Sequence, residues 1–172
     1  MWVAGDEPRE LQFALALDVG QRLIEPGAPM TEDTRRYVER VTKARLHQRV
    51  FRIQVIGAYQ GRCAVCRLGH FELLDAAHII EDGRPGGEPV VPNGLSLCKI
   101  HHAAFDNRIV GIRPDLSLHI RQDVLDEIDG PMLRFGLQDL HNHRLEIVPA
   151  IRAARPDRAR LEERYARFRT AG

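Results

Sequence analysis

The feature that most constrains the fold of this chain is a pair of short cysteine and histidine motifs. Cys63 and Cys66 are separated by two residues, and so are Cys98 and His101. Such pairs are typical of the two turns that supply four ligands to a structural zinc ion. Three cysteines cannot all pair as disulfides, and buried free thiols are the alternative explanation. The pattern predicts a closed site of three cysteines and one histidine that joins the ends of segment 66–98.

Length and composition are those of an ordinary globular protein. The 172 residues suit one domain, or one domain with a small appendage, and 44% of them are hydrophobic while 28% are charged. The longest clean apolar run, residues 13–17, is far too short to span a membrane. The N-terminus has no pattern of a secretory signal. We therefore expect a cytoplasmic protein without a membrane partner.

Charge is unevenly distributed although the net charge is only +1. Residues 31–62 carry eight Lys and Arg against three acids, and residues 152–169 carry seven Arg against three acids. Residues 114–146 offset them with seven acids against three Arg. The basic segments could be solvated helix faces, or they could contact the phosphates of a nucleic acid.

The first third of the chain is expected to contain an arm and then two helices. Residues 2–4 and 12–18 have the pattern of two short strands within an arm formed by residues 1–30. Thr31 is the expected N-cap of a basic helix that ends near His47. A second helix is expected over residues 48–59 and ends at Gln60-Gly61.

The rest of the chain mixes strand and helix patterns, and residues 31–172 are expected to form one domain. Asn93-Gly94 is interpreted as a turn. A short helix is expected over residues 99–106, and an arginine-rich helix is expected to begin at Pro156. Strands are expected over residues 71–80, 109–112, 117–124 and 144–148.

A second set of polar residues accompanies the expected zinc ligands. His78 falls on a predicted strand, Asn93 in the following loop, and His102 on the short helix. His102 and Asp106 are four residues apart and therefore share a helix face, where both can ligate a divalent cation. Taken singly, His78 is equally well a core histidine, Asn93 a turn residue, and His102 a zinc ligand in place of His101. Together they predict a reactive site held in place by zinc.

The segment that joins these residues resembles the HNH endonucleases, whose domain has the ββα-metal fold. The resemblance covers residues 59–112 and rests on Leu74-Asp-Ala-Ala-His-Ile-Ile and on Pro92-Asn-Gly-Leu-Ser-Leu-Cys-Lys-Ile-His-His-Ala-Ala-Phe-Asp106. The chain is most similar to the HNH domains of bacterial restriction-type enzymes with flanking zinc knuckles. The resemblance implies an α+β fold with a zinc-stapled ββα-metal core, flanking helices and a small C-terminal β region.

The resemblance also implies roles for the second set of residues. His78 would be the general base, Asn93 would shape the loop and orient that base, and His102 would bind the catalytic cation. Ala77 stands where many members of the family have a metal-binding side chain, and Asp75 points to the same side of the strand. The expected ligands of the catalytic cation are His102, Asp106 and Asp75. Mg²⁺ or Mn²⁺ is favoured, and Ni²⁺ or Co²⁺ is also compatible with a histidine ligand.

These observations predict a metal-dependent endonuclease that hydrolyses DNA phosphodiester bonds, as a restriction-type HNH nuclease. Two alternatives stay open: a non-catalytic zinc module that binds nucleic acid, and a nuclease that acts on RNA. A homodimer would cut both strands at once, whereas a monomer would nick them in turn. The expected DNA contacts are Arg35, Arg36, Arg40, Lys43 and Arg45. The arm formed by residues 1–30 is either the remnant of an upstream recognition domain or a segment that packs on its own domain or a partner.

Overall fold

The computed structural model describes the greater part of the chain, and its contacts divide the chain into two compact units, Met1–His47 and Gln48–Gly172. The described backbone covers residues 2–7, 12–16 and 32–170. The described side chains are those of residues 46–170 together with Glu32, Arg36 and Thr42.

The first unit contains a β-hairpin and the first part of a long helix. Strands β1 (Trp2–Glu7) and β2 (Gln12–Ala16) pair antiparallel, so the predicted pair of strands is present. Residues 17 and 18 of the second predicted strand, and the predicted cap Thr31, lie outside the described residues. The interpretation of the arm as the remnant of an upstream domain stays a prediction.

Helix α1 (Glu32–Ala58) is continuous, so the expected division into two helices near His47 is wrong. Residues 44–52 contain neither glycine nor proline, and the helical hydrogen bonds therefore propagate without a break. The helix ends as expected before Gln60 and Gly61, whose φ angles are 59° and 67°. The N–H of Gly61 donates to the carbonyl of Ile56 at 2.9 Å and closes the last turn.

The centre of the second unit is a hairpin followed at once by a helix. The elements are β3 (Leu74–His78), β4 (Gly94–Cys98) and α2 (Lys99–Asp106). The strands pair antiparallel, and His78 at the end of β3 lies opposite Gly94. This is the ββα arrangement that the resemblance implies. It brings the predicted base on β3 and His102 on α2 into one motif.

Gly94 is an extended strand residue, contrary to the turn that the sequence predicted. Its φ angle is −126°, and β4 is buried along its whole length. A β-carbon at this position would clash with the side chains of Val55 and Phe51 from α1. The glycine is therefore required because α1 packs closely against the hairpin, not because the backbone turns there.

The remaining elements surround this motif. A second antiparallel hairpin consists of β5 (Val110–Ile112) and β6 (Leu118–Ile120), and it is followed by helices α3 (Gln122–Asp126), α4 (Pro131–Gly136) and α5 (Arg158–Arg169). Helix α5 begins after Asp157, whose side chain accepts a hydrogen bond from the N–H of Arg160, and not at Pro156 as expected.

The expected strands are longer than the observed ones. Residues 71–73 form a 3₁₀ turn before β3, and residues 122–126 form α3 instead of continuing β6. Residues 144–148 make a single bridge, between Arg144 and Ser117. The N–H groups of Glu146 and Ile147 instead donate to the carbonyl of Ala64, so they are not available for a strand ladder.

The core of the second unit lies between the C-terminal part of α1, the two hairpins and α5. Its largest buried side chains include Ile56, Tyr59, Leu95, Leu97, Phe105, Ile112 and Leu161. The predicted α+β class is confirmed. Within the described residues, no helix is both long and apolar enough to cross a membrane.

Candidate metal centres and active site

The four predicted zinc ligands come together beside β4 and α2. The ligand atoms of Cys63, Cys66, Cys98 and His101 all lie within 4.8 Å of one another. The sulfurs of Cys66 and Cys98 are 4.0 Å apart, and His101 Nδ1 is 3.1 Å from Cys98 Sγ. A tetrahedral zinc ion, with Zn–S bonds of about 2.3 Å, separates two sulfur ligands by about 3.8 Å. The arrangement therefore fits one tetrahedral ion.

Hydrogen bonds outside the ligand set hold these residues in place. The N–H of Ala64 donates to the carbonyl of Ser96 at 2.7 Å and ties the first cysteine turn to β4. His101 Nε2 lies 2.9 Å from the carbonyl of Gly136 and must donate, because a carbonyl only accepts. This bond leaves Nδ1 of His101 to face the sulfurs. Sequence reasoning missed Gly136, since a backbone carbonyl carries no signal in the sequence.

The contacts of Cys98 also suit a metal ligand. Hydrogen bonds from the thiols of Cys63 and Cys66, together with one from His101, hold the pKa of Cys98 well below its usual range. These contacts favour the thiolate of Cys98, which is the form that binds metal. Four protein donors complete a tetrahedron, so this cluster has the closed form of a structural site.

A second cluster is centred on His102, whose ring lies between two carboxylates. His102 Nε2 is 3.2 Å from Asp106 Oδ2, and His102 Nδ1 is 3.6 Å from Asp75 Oδ2. The hydrogen bond with Asp106 raises the pKa of His102, helped by the charges of both carboxylates and opposed by burial. The structure thus brings together the three side chains that the sequence proposed as ligands of the catalytic cation.

The two carboxylates differ in their fit to a cation. Neighbouring ligands of an octahedral Mg²⁺, each about 2.1 Å from the ion, are about 3.0 Å apart. The separation of 3.2 Å between His102 Nε2 and Asp106 Oδ2 fits such a pair. Asp75 instead has cationic partners on both oxygens: Arg52 Nε at 3.3 Å from Oδ1, and Lys99 on Oδ2. The contacts of Asp75 suit a residue that holds His102 in place from β3.

His78 is half-buried beside this cluster. Its ring stacks on Phe51 of α1, with ring centroids 4.1 Å apart and an angle of 20° between the planes. Burial lowers the pKa of His78 below its usual value, although the negative charges of Asp82 and Asp106 oppose this shift. The imidazole is therefore neutral at pH 7 and able to accept a proton. Its Nε2 atom is buried, and none of the described residues gives it a hydrogen-bond partner.

Asn93 fixes the loop that follows His78. Its side chain is fully buried, with Oδ1 accepting from the N–H of Ile80 at 2.9 Å. Its Nδ2 donates to the carbonyls of Ile80, at 3.0 Å, and Glu88, at 3.1 Å. The backbone carbonyl of Asn93 also accepts from the N–H of Ile79 at 2.9 Å. These bonds clamp the two residues after His78, and the role of Asn93 in orienting that base stays a prediction.

Sequence reasoning missed a contribution from α5. Arg164 is 7% exposed, donates to the carbonyl of Phe105 at 3.1 Å and lies 3.7 Å from Asp106 Oδ1. Both Arg164 and Arg167 pair with Glu81, in the loop after β3. Helix α5 therefore ties Asp106 to the loop behind His78. The arginines of residues 152–169 are the signal in the sequence, which offered a solvated helix face or phosphate contacts as their role and not these ion pairs.

The predicted DNA-binding residues lie along α1. Arg36 is exposed and pairs with Glu32 at 3.3 Å. The side chains of Arg35, Arg40, Lys43 and Arg45 lie outside the described residues. The assignment of DNA contacts to α1 therefore stays a prediction.

Comparison with known proteins agrees with this geometry. Residues 63–113 match the family model of the HNH endonucleases. The chain contains an HNH endonuclease domain. The match covers both clusters and bears out the expected resemblance over these residues. The roles of individual residues of the HNH domain stay predictions.

A solved structure also resembles the HNH domain and its surroundings. It is described as "Modification dependent TagI restriction endonuclease", with a TM-score of 0.50 and 23% sequence identity. The similarity covers 68% of this chain and 36% of that one, so the chain spans about a third of the length of that enzyme. At this identity the similarity shows a shared fold alone. The curated proteins contain no match to the chain.

Proposed function

We propose that the chain is a metal-dependent endonuclease of restriction type that hydrolyses DNA phosphodiester bonds. The observation that carries the proposal is the convergence of His102, Asp106 and a neutral, half-buried His78 on one ββα motif. A module that only binds nucleic acid would need the four zinc ligands but not this second cluster. The resemblance to a restriction endonuclease fold supports the same class of activity.

Each residue of the second cluster has a definite task in the proposed reaction. His102 and Asp106 would hold Mg²⁺ or Mn²⁺, with Ni²⁺ or Co²⁺ also compatible, and Asp75 would steady the His102 ring. When bound, such a cation offsets the charge that develops on the phosphate and on the leaving oxygen. His78 takes a proton from the attacking water, because its lowered pKa leaves a ring nitrogen unprotonated at neutral pH.

The surroundings of His78 keep it in position for this proton transfer. The stack on Phe51 restricts rotation of the imidazole ring. The clamp that Asn93 forms on the next two residues fixes the end of β3 relative to α2. A base that is already oriented loses little entropy when the substrate binds, and this favours reaction.

The remaining assignments follow from the same proposal. The thiolate cluster would hold Zn²⁺, since soft ligands select it, and the cytoplasm would keep the three thiols reduced. DNA would be the partner, with the basic residues of α1 as phosphate contacts. A homodimer would allow both strands to be cut in one encounter.

Cleavage of supercoiled plasmid by the purified chain, with and without Mn²⁺, tests the proposal. We expect nicked and linear products only when the cation is added. His78→Ala is expected to slow cleavage about 10²–10⁴-fold, while zinc content and duplex binding persist. The control His70→Ala removes an exposed histidine and should leave the rate unchanged.

Two results would redirect or overturn the proposal. Equal rates for His78→Ala and the parent chain would contradict the role of His78 as the base. Cleavage of RNA without cleavage of plasmid would show that DNA is not the substrate.

A further inference from the structure

A groove beside Asp106 has no role in the mechanism above. An open cavity of about 340 Å³ is lined by Asp106, Asn107, Arg108 and Arg121. A second cavity, of about 250 Å³, is lined by His119, Arg121, Gln122, Phe168 and Arg169. Because Arg121 lines both cavities, they adjoin. We call them together the arginine groove, which runs from Asp106 to the end of α5.

The arginine groove concentrates positive charge that is largely unpaired. Arg108 and Arg169 are exposed, and the described part of the chain contains no ion-pair partner for either. Arg121 pairs with Asp123 through two contacts of 2.6 and 2.7 Å. Most other arginines of α5, by contrast, are satisfied by carboxylates, as Arg160 is by Glu88 and Arg164 by Glu81. The groove therefore presents guanidinium groups that are free to bind an anion.

The backbone turn after α2 places Arg108 next to the proposed metal site. Arg108 has a φ angle of 56°, in the left-handed region that side-chain-bearing residues seldom adopt. Its N–H donates to the carbonyl of Phe105 at 3.2 Å and closes the end of α2. The chain thus reverses within two residues of Asp106. As a result, the side chains of both residues line the same cavity.

The geometry points to the arginine groove as a binding site for the phosphate backbone of DNA on one side of the cleaved bond. Arg108 would contact a phosphate adjacent to the scissile one, and Arg169 a phosphate farther along the strand. This inference rests on the proposed nuclease function, because Asp106 sets where the scissile phosphate lies. A guanidinium group suits the task, since it donates two parallel hydrogen bonds to phosphate oxygens and keeps its charge at any physiological pH.

Binding of fluorescent duplex DNA, measured by anisotropy over a range of salt, tests the groove. The parent is the His78→Ala chain, which is expected to cut at least about 100-fold more slowly, and chelator is omitted so that zinc is retained. We expect Arg108→Gln and Arg169→Gln each to weaken binding about two- to five-fold, as for exposed charge pairs. The double variant should reduce the slope of log K against log salt by about 2, equally on unrelated sequences.

Two further variants make the test specific. Arg158→Gln removes an exposed arginine at the other end of α5, about 16 Å away along the helix, and should leave binding and slope unchanged. Asp123→Asn frees Arg121 from its carboxylate and should strengthen binding. Thermal unfolding of each variant verifies that its fold is intact.

The outcomes separate the groove from the nuclease proposal. If the parent binds DNA but Arg108→Gln and Arg169→Gln bind equally well, the groove is not a phosphate site and the nuclease proposal stands. An equal loss in Arg158→Gln would also overturn the groove, because it would show a general effect of charge. If the parent binds no DNA and plasmid is not cut, both proposals are wrong.

Discussion

Two adjacent histidines of α2 belong to two different clusters. His101 is 4% exposed and faces the sulfurs of Cys63 and Cys98, whereas the His102 side chain is 24% exposed and faces carboxylates. Consecutive residues of a helix point about 100° apart, so one turn of α2 serves both clusters. The cluster of Cys63, Cys66, Cys98 and His101, which we call the zinc cluster after its expected ion, is closed by four protein donors. In the His102 cluster, by contrast, the Asp106 side chain is 55% exposed, and Asp106 also lines the arginine groove.

The two clusters are also held in different ways. Backbone hydrogen bonds and the expected metal–ligand bonds hold the zinc cluster, and three of its four residues are buried while Cys66 is exposed. The His102 cluster is held by ion pairs, with Arg52 and Lys99 on Asp75 and Arg164 on Asp106. The contrast predicts that substitutions in the zinc cluster unfold the domain. Substitutions in the His102 cluster are expected to abolish catalysis and leave the domain folded.

The largest expected effect is that of Cys63→Ser, which should abolish the folded HNH domain. Structural zinc contributes on the order of 10–16 kcal/mol in small zinc-dependent folds, which exceeds the usual stability of a whole domain. Zinc content by elemental analysis and thermal unfolding measure the effect. Ser96→Ala on β4 is the control, because its buried hydroxyl has no hydrogen-bond partner among the described residues. A Cys63→Ser chain that is folded and free of zinc would contradict the expectation that the zinc cluster maintains the fold.

The next largest effect is expected in the His102 cluster, which we also call the open cluster. His102→Ala should weaken Mn²⁺ binding by more than about 100-fold while zinc content and thermal stability stay near those of the parent. Asp106→Asn should weaken it less, and Asp75→Asn by only about ten-fold, as is usual for a residue that supports a ligand. Electron paramagnetic resonance of a Mn²⁺ titration measures all three. Unchanged Mn²⁺ binding in His102→Ala would place the cation elsewhere.

A smaller effect is expected from pH. At saturating Mn²⁺, the single-turnover rate of cleavage should rise with pH and level off below neutrality. Burial lowers the pKa of His78, so its protonated and inactive form predominates only at a pH below the usual value of about 6.5. Zinc content should be monitored over the same range, because protons compete for the thiolates. A rate that still rises above pH 7.5 would disagree with a buried base.

The smallest effect is that of Glu81→Gln, which tests whether charge from α5 supports the open cluster. Burial would raise the pKa of Glu81, but a hydrogen bond from its own backbone N–H, together with Arg167 and Arg164, lowers that pKa below its usual value. A lowered pKa in the folded state means stability that is complete above about pH 4.5 and lost as pH falls through the folded pKa. We expect a loss of about 0.5–1 kcal/mol at pH 7, reduced by solvent screening because Glu81 is 42% exposed.

Urea unfolding at pH 7 and near pH 3 measures the difference in unfolding free energy between the parent and Glu81→Gln. This difference should be smaller at the lower pH. Glu162→Gln is the matched control, because it removes an exposed carboxylate of α5 that has no ion pair in the described structure. Equal destabilisation by both variants would show that the contacts of Glu81 contribute nothing specific.

The sequence by itself determined the features that depend on near neighbours. The spacing of Cys63 and Cys66 predicted the first pair of the four side chains that the structure brings together. The spacing of His102 and Asp106 placed both on one helix face. The predicted short helix over residues 99–106 has the observed bounds. The expected end of a helix near His47 was wrong, and nearby residues could have shown this. The absence of glycine and proline around that point favours a continuous helix.

Only the tertiary structure decided how the two clusters are supported. The carbonyl of Gly136 that orients His101 lies 35 residues away in sequence, and Arg164 and Glu81 are separated by 83 residues. Gly94 has the pattern of a turn, but contact with Val55 of α1 explains it. Such pairings depend on which surfaces meet after the chain collapses, and no period or spacing of residues along the chain encodes them.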